Sequence, residues 1–330
     1  MIAGVDVSKD WLDIALEGPS RKRCFERRVD NDVDGFQRLL SWAIERTGAP
    51  AAELAFVMEA TGVYHEAAAL ALHEAGCRVF VANPKRTRNY ALGLGLLNKT
   101  DRVDARALLR YGKEQAGELL PWEPPPPEIH ALRALYARLN AVEMDLRREL
   151  NRQQQADLSG QPDLVRQSIE QSITHLREDC ERLKRAIEDH FDQHPGLKQQ
   201  RELLQSTPGI GPVSSDRMLC LLLRHRFESA RQAAAFAGLV PRMHESGTSV
   251  RRRPRLIKSG DPSLRAVLYM AAIAAARHNP ELREHYRRLL KAGKAKMCAL
   301  GSIMRRLLHI AFGILKHRSP YNPALVAAKA

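Results

Sequence analysis

The residues of this chain best suited to chemistry are four carboxylates in three short signatures. Asp6 lies in Ile2-Ala-Gly-Val-Asp-Val-Ser-Lys9, Glu59 in Val57-Met-Glu-Ala-Thr-Gly-Val-Tyr64, and Asp101 with Asp104 in Lys99-Thr-Asp-Arg-Val-Asp-Ala-Arg106. Each signature falls where a strand should end or a helix begin. A carboxylate at a strand's end points out of the sheet into a crevice. Asp101 and Asp104 are three positions apart, so on a helix they share a face. Carboxylates that converge repel one another unless cations neutralise them, and hard oxygen donors suit Mg²⁺, or Mn²⁺ as the second candidate. Such a centre clamps phosphates. The expectation is metal-assisted phosphoryl transfer on nucleic acid.

The elements that must position these groups follow from the pattern. Ile2–Val7, Trp11–Leu16 and Arg23–Val29 read as three meandering strands, with Gly18-Pro19 as a turn. Asp32 is placed to cap a helix carrying Phe36, Leu39, Leu40, Ala43 and Ile44. Leu54–Met58 is a fourth strand ending at Glu59, Val63–Ala75 a helix stopped by Gly76, and Arg78–Ala82 a fifth strand. Strands alternating with helices in this way predict a mixed α/β sheet over residues 1–120. Pro124 to Pro127, preceded by Pro121-Trp122, excludes helix and inner strand and marks a stiff linker at 121–127.

Residues 128–202 are poor in glycine and carry two apolar seams, Ile129 to Leu150 and Ile169 to Ile187, at coiled-coil spacing. They predict a helical hairpin, broken at Asn151–Ser159 and Gly160-Gln-Pro162, whose seam serves either an internal core or a second subunit. Residues 203–330 predict a mainly helical domain. In it, Pro208-Gly-Ile-Gly211 resembles the turn of helix–hairpin–helix modules, where Gly209 and Gly211 would let backbone amides approach a phosphate. An ordinary helix-ending turn has the same residues.

A formal net charge of +14 and a pI near 9.9 favour a polyanionic partner. Cys24, Cys77, Cys180, Cys220 and Cys298 are dispersed, without metal-binding spacing, which fits free thiols in a reducing cytoplasm. Asp6 and Lys9 break any leader-like run, and no apolar stretch reads as long enough to span a membrane.

The segment Val240–Asp261 reads as a polar, basic loop. It holds Ser246 and Ser249 among Arg242, Arg251, Arg252, Arg253 and Arg255, with Lys258 following. Arginines grip phosphate oxygens in pairs of bonds, and a serine hydroxyl there is a plausible nucleophile on a phosphodiester. On local residues alone, a loop that binds backbone phosphates without chemistry is the preferred reading.

With these motifs together, the chain resembles the insertion-sequence transposases with a DEDD motif, the IS-one-ten family, also described as bridge-RNA-guided recombinases. The resemblance spans nearly the whole chain. Besides the carboxylate signatures it runs through Asn83-Pro84, Pro208-Gly-Ile-Gly211, Phe236-Ala-Gly-Leu-Val-Pro-Arg242 and Glu245-Ser-Gly-Thr-Ser-Val-Arg251, in that order. It implies a RuvC-like, RNase-H-type domain with Asp6, Glu59, Asp101 and Asp104 as metal ligands, and a C-terminal transposase domain whose nucleophile is Ser246. It implies donor and target DNA as substrates, a guide RNA that chooses them by base pairing, and dimers that pair into a tetramer in the prokaryotic cytoplasm. A RuvC-like domain of one protomer would then meet the serine loop of another. The competing functions are a RuvC-like nuclease using water and a non-catalytic nucleic-acid-binding protein. Among other residues, Asp10 and Asp13 read as solvated, Trp11, Trp42 and Trp122 as core or linker anchors, and Tyr64 as packed. Arg305 and Arg306 read equally as phosphate contacts or a charged helix face.

Overall fold

Strand β1 (Ile2–Val7) and strand β4 (Ala55–Glu59) are apolar along almost their whole length, as strands covered on both faces must be. They pair in parallel, Gly4 beside Val57 and Val5 beside Met58. On the other side of β1, β2 (Trp11–Glu17) and β3 (Cys24–Asp30) add as antiparallel strands, and β5 (Arg78–Ala82) completes the order β3-β2-β1-β4-β5. The expected mixed sheet is present. The structure, a computed structural model, describes residues 1–18, 24–60, 62–96, 100–246, 250–257 and 260–324, and the backbone alone within 242–246 and 250–254. The chain divides into two compact units, Met1–Pro124 and Pro125–Ala330.

In the first unit the two sheet faces are covered differently. Val5, Leu12, Ile14, Phe56 and Met58 face helix α1 (Val33–Thr47) and helix α2 (Tyr64–Glu74), and form the main core. Asp32 caps α1 as expected, accepting from Gly35 N at 2.7 Å. The opposite face carries Gly4, Asp6, Asp13, Ala15 and Val57 and is covered by helix α4 (Asp101–Glu114). Helix α3 (Pro84–Gly93) starts at the Asn83 cap, where Asn83 and Pro84 together make a helix start as well as a strand end.

Three expectations about single residues are corrected here. Asp13 is not solvated but only 4% exposed, because its cross-strand position puts it beneath α4. Trp11 and Tyr64 are exposed rather than packed, whereas Trp42 is buried and Trp122 packs edge-on against His73. Trp11 occupies the edge of β2, where its ring meets the Arg28 guanidinium 4.9 Å from the centroid.

The second unit is helical. Helix α5 (Pro127–Ser159) and helix α6 (Asp163–Gln193) run antiparallel. They are joined through Gly160 in the left-handed region and closed at the far end where His190 Nε2 meets the Glu128 carbonyl at 2.8 Å. The helix continues through 151–159, since nothing in that polar stretch breaks it, and the turn is confined to 160–162. Near the base the seam joins the unit's core, through Ile129, Leu132, Leu139, Ile187 and Phe191, and farther along Val142, Cys180, Ile173 and Ala156 are buried between the two helices. Beside the turn Leu158 and Leu164 are exposed.

Helices α7 (Pro195–Gln205), α8 (Pro212–Arg224) and α9 (Ala230–Phe236) follow. Next come strands β6 (Pro241–Ser246) and β7 (Val250–Leu256), and then helices α10 (Pro262–His278), α11 (Pro280–Lys291) and α12 (Lys296–His317). The expected polar loop over 240–261 contains an antiparallel ribbon, Arg242 opposite Arg255 and Ser246 opposite Val250. A ribbon of two strands is all edge, so it tolerates Pro254 and needs no apolar alternation. Helix α12 is long and apolar enough to cross a membrane by length and composition. Here Ala299, Ile303, Leu307, Leu308 and Ala311 fill the core of the unit.

Candidate active site

The site on the first unit begins with Gly4. A Cβ at this position would stand 2.2 Å from the Ala105 carbonyl oxygen and 2.3 Å from Leu109 N, so glycine lets the α4 backbone lie directly on β1. Gly112 plays the reciprocal part near the helix's far end, against the Val57 side chain. Thr100 caps α4 by accepting from Val103 N, which fixes its first turn, and Asp101 and Asp104 sit in that turn. Asp6 is two residues beyond Gly4 on the same strand face, and Glu59 is two residues beyond Val57 on the neighbouring strand. The close approach at Gly4 therefore delivers both helix carboxylates to the strand carboxylates.

Three ion pairs hold α4 along the sheet: Arg28 with Asp101 at 3.0 Å, Arg106 with Glu26, and Lys113 with Glu17 at 2.5 Å. Glu59 accepts a hydrogen bond from Thr87 Oγ1, reaching in from α3. Asn31 ties the rim together, donating to the Ser8 carbonyl at 2.8 Å and to the Tyr64 carbonyl at 3.1 Å.

Burial first, and then Asp104, Asp101, Glu59 and Asp13, together push the Asp6 carboxyl up to about 7. All four expected carboxylates thus act on one locus, with Asp13 as a fifth. Arg28 partly offsets their charge. Its Nη2 lies 2.7 Å from Asp13 Oδ2 and 3.0 Å from Asp101 Oδ2, and its Nε donates to Asp13 Oδ1 at 3.0 Å. Among the described residues no three His, Cys, Asp or Glu side chains stand close enough to share one cation as they are placed, and Arg28 draws Asp101 toward Asp13. The donor set nevertheless fits a hard divalent cation. It is all carboxylate oxygen, its negative charges outnumber the one Arg28 cation, and burial together with four carboxylate neighbours raises its central member to about 7. Asp13, Arg28 and Thr87 were missed as site residues. The signal for Asp13 and Arg28 was the strand register, which places Asp6, Asp13 and Arg28 in one row across β1, β2 and β3.

The second group of expected residues lies on the other unit. Ser246 is the last residue of β6. Arg251, Arg252 and Arg253 follow in β7, and Arg255 near its end is exposed. Ser249 and Lys258 lie outside the described residues. The Pro208–Gly211 turn joins α7 to α8. Gly209 has φ +102° and packs against Ala275 of α10, where a Cβ would stand 2.6 Å from the Ala275 backbone, so this glycine serves helix packing. Around Gly211 a Cβ would meet nothing within 4 Å, but its amide is already taken, donating to Ser214 Oγ at 2.9 Å in the cap of α8.

The fold and the site define an α/β protein with an acidic, hard-oxygen centre on one sheet face and a helical unit that bears an arginine-rich ribbon. Residues 3–156 match a family model described as Transposase, of the DEDD type, and residues 201–287 match the Transposase IS116/IS110/IS902 family. A pilin gene-inverting protein of Moraxella bovis is 29% identical over 322 residues, 97% of each chain. An insertion element IS110 protein of Streptomyces coelicolor is 28% identical over 173 residues, 51% of this chain and 41% of that one. Among solved structures, RuvC of Thermus thermophilus aligns over 36% of this chain and 98% of its own, at 16% identity and TM-score 0.27. The chain belongs to the IS110-type family of DEDD insertion-sequence transposases. Membership makes it a DNA-recombining enzyme.

Proposed function

We propose that this transposase cuts and rejoins DNA through a phosphoserine intermediate on Ser246, with a divalent cation, Mg²⁺ or Mn²⁺, held by Asp6, Glu59, Asp101 and Asp104. The observation that carries the metal reading is Asp6, buried and pressed upward in pKa by the other three carboxylates at once. When bound, such a cation polarises the scissile phosphate and neutralises the charge that builds on it. The four carboxylates orient it, and Thr87 and Arg28 orient two of them. The Ser246 Oγ–phosphorus bond forms as a phosphorus–sugar oxygen bond breaks, and the serine proton leaves as the sugar hydroxyl takes one up. Attack by a sugar hydroxyl of another strand reverses the step, so exchange conserves the bond energy.

The serine assignment rests on the family motif. The ribbon supports it by placing Ser246 beside the turn, opposite Val250 and one step from Arg251. Arg242, Arg251, Arg252, Arg253, Arg255 and Lys258 are assigned to phosphate contacts. Residues 1–120 form the carboxylate domain, 128–202 a helical arm and 203–330 the serine-ribbon domain. A guide RNA and a dimer-of-dimers assembly complete the reading, and the net charge of +14 supports the RNA.

A denaturing gel after incubation with DNA tests the proposal. The wild-type protein should yield a covalent protein–DNA adduct, Ser246→Ala none, and Ser249→Ala a normal amount. Free nicked ends formed undiminished by Ser246→Ala would place water, not serine, as the nucleophile. Loss of one phosphate contact alone is worth only about 0.5–1.5 kcal/mol.

A further inference from the structure

Helix α12 fills the core of its unit, yet one stripe of it is polar. Ser302, Arg305, Arg306 and His309 recur at steps of three and four and are all half-buried. Helix α11 supplies His285 and Arg288 on one side of this stripe, and α9 supplies Arg231 on the other. Arg288 Nη2 donates to His285 Nδ1 at 3.1 Å, which leaves the proton of the neutral ring on Nε2, donated to Ser302 Oγ at 2.9 Å. His309 Nε2 is buried with no hydrogen-bond partner.

Several arginines of the unit are paired with carboxylates, and those of this stripe are not. Arg201 pairs with Glu188 and Asp216, Arg182 with Asp179, Arg152 with Glu149 and Arg148 with Asp145. Among the described residues, Arg231, Arg288, Arg305 and Arg306 have no carboxylate within ion-pair distance. Burial and Arg288 hold the Arg306 guanidinium below its usual range. Burial, Arg306 and Arg288 push His285 down to about 4, and burial, Arg305, Arg231 and Arg306 push His309 down. Arg231 and Arg288 are exposed, but Arg305 and Arg306 are half-buried. Half-buried like charges without counter-ions cost stability, so the arrangement makes physical sense once an anion sits among them.

We propose that the stripe of α12 between α9 and α11 is a binding site for nucleic-acid backbone phosphates, with Arg231, Arg288, Arg305 and Arg306 as its cations and the orphaned His309 Nε2 as a further polar contact. Its place in the fold supports this. Gly301, one turn before Arg305, faces Leu256 at the end of β7, and Gly260 lies against the Phe236 carbonyl at the end of α9, where a Cβ would stand 2.3 Å from the oxygen. The exit of the serine ribbon is thus seated against α12 and the end of α9, the two helices that carry Arg305, Arg306 and Arg231. The proposal rests on the family's nucleic-acid substrate, and not on the serine or metal chemistry.

The test measures binding in EDTA, in a Ser246→Ala background, so that failure of the chemistry leaves it unaffected. Fluorescence anisotropy would follow a 30-base-pair duplex DNA and a single-stranded RNA across a salt series. The Arg305→Gln/Arg306→Gln pair should flatten the slope of log affinity against log salt by about 0.9 per lost duplex contact, or about 0.7 per lost single-strand contact. Flattening with one probe only tells which backbone occupies the site. The control pair Arg283→Gln/Arg287→Gln, exposed on α11, should change the slope less. The free Arg305→Gln/Arg306→Gln protein should also melt higher than its parent, since repulsion has been removed. Unchanged slopes with both probes, equal flattening in the control, or a lower melting temperature would each overturn the proposal.

Discussion

Asp6 stands directly opposite Asp13 in the antiparallel register of β1 and β2, with both side chains beneath α4. Like charges paired across a sheet destabilise it, and burial makes the pair worse. The fold accommodates them in two ways. Arg28, opposite Asp13 on β3, grips Asp13 with both arms of its guanidinium, and Asp6 takes up a proton far more readily than an ordinary carboxylate. A sheet built for stability alone would carry neither carboxylate.

Asp6→Asn removes charge and almost no volume. The variant should melt at a higher temperature than the parent at pH 8 without metal, bind DNA with nearly unchanged affinity, and cut none. Thermal melts and a cleavage assay check it together. A lower melting temperature would mean that Asp6 makes a favourable contact in the free protein.

The pH dependence has a definite sign. The Asp6 carboxyl rises from 3.8 to about 7 on folding, so between those values the folded protein holds more protons than the unfolded chain. Its contribution to stability is complete below about pH 4 and is lost as pH rises through about 7. Metal-free protein should therefore lose melting temperature over that window, and Mn²⁺ should restore most at the upper end. Below pH 7 calorimetry in buffers of different ionisation enthalpy should show proton release on Mn²⁺ binding. Binding without proton release at pH 6 would separate Asp6 from the metal.

Gly4→Ala inserts a methyl where the α4 backbone already lies. Overpacking of this kind costs about 1–3 kcal/mol, read from the urea midpoint. Because α4 carries Asp101 and Asp104, the displaced helix should also weaken Mn²⁺ binding. Gly117→Ala on the same unit, where a Cβ would meet nothing within 4 Å and φ is not positive, should cost less and leave Mn²⁺ affinity unchanged.

The second unit has its own buried charge. Arg201 Nε lies 2.8 Å from Asp216 Oδ1, and its other nitrogens bond Glu188 at 2.6 and 2.7 Å. The Tyr136 hydroxyl donates to Asp216 at 2.5 Å, joining α5, α6, α7 and α8 at the Pro208–Gly211 turn. Arg201→Met leaves Asp216 buried without its counter-charge and should cost about 3–5 kcal/mol, whereas Tyr136→Phe should cost about 1–3 kcal/mol. Urea unfolding measures both, and near-neutral results would show that the network is dispensable.

The sheet was legible because its strands are short, apolar and separated by capped helices, and because Asp32 is followed by a strongly periodic segment. The four carboxylates were legible by type and spacing. What escaped was set by pairing between distant segments. Nothing near Asp13 in sequence reveals that it lies under α4, and nothing near Arg28 reveals that it reaches Asp101, 73 positions away. Thr87 follows a cap that was read only as a strand end. The ribbon hid because the consecutive Arg251, Arg252 and Arg253 erase the apolar–polar alternation by which a half-buried strand is read in sequence. Gly209 looked like a residue that admits a phosphate, but its space is taken by Ala275.

The Arg28 bridge means that folding need not await a cofactor. A guanidinium on β3 and a proton on Asp6 act as placeholders, so a newly made chain can close its sheet in a cell where free divalent ions are scarce. On the proposed metal reading, loading the site would be an exchange, in which one guanidinium and one proton give way to the cation.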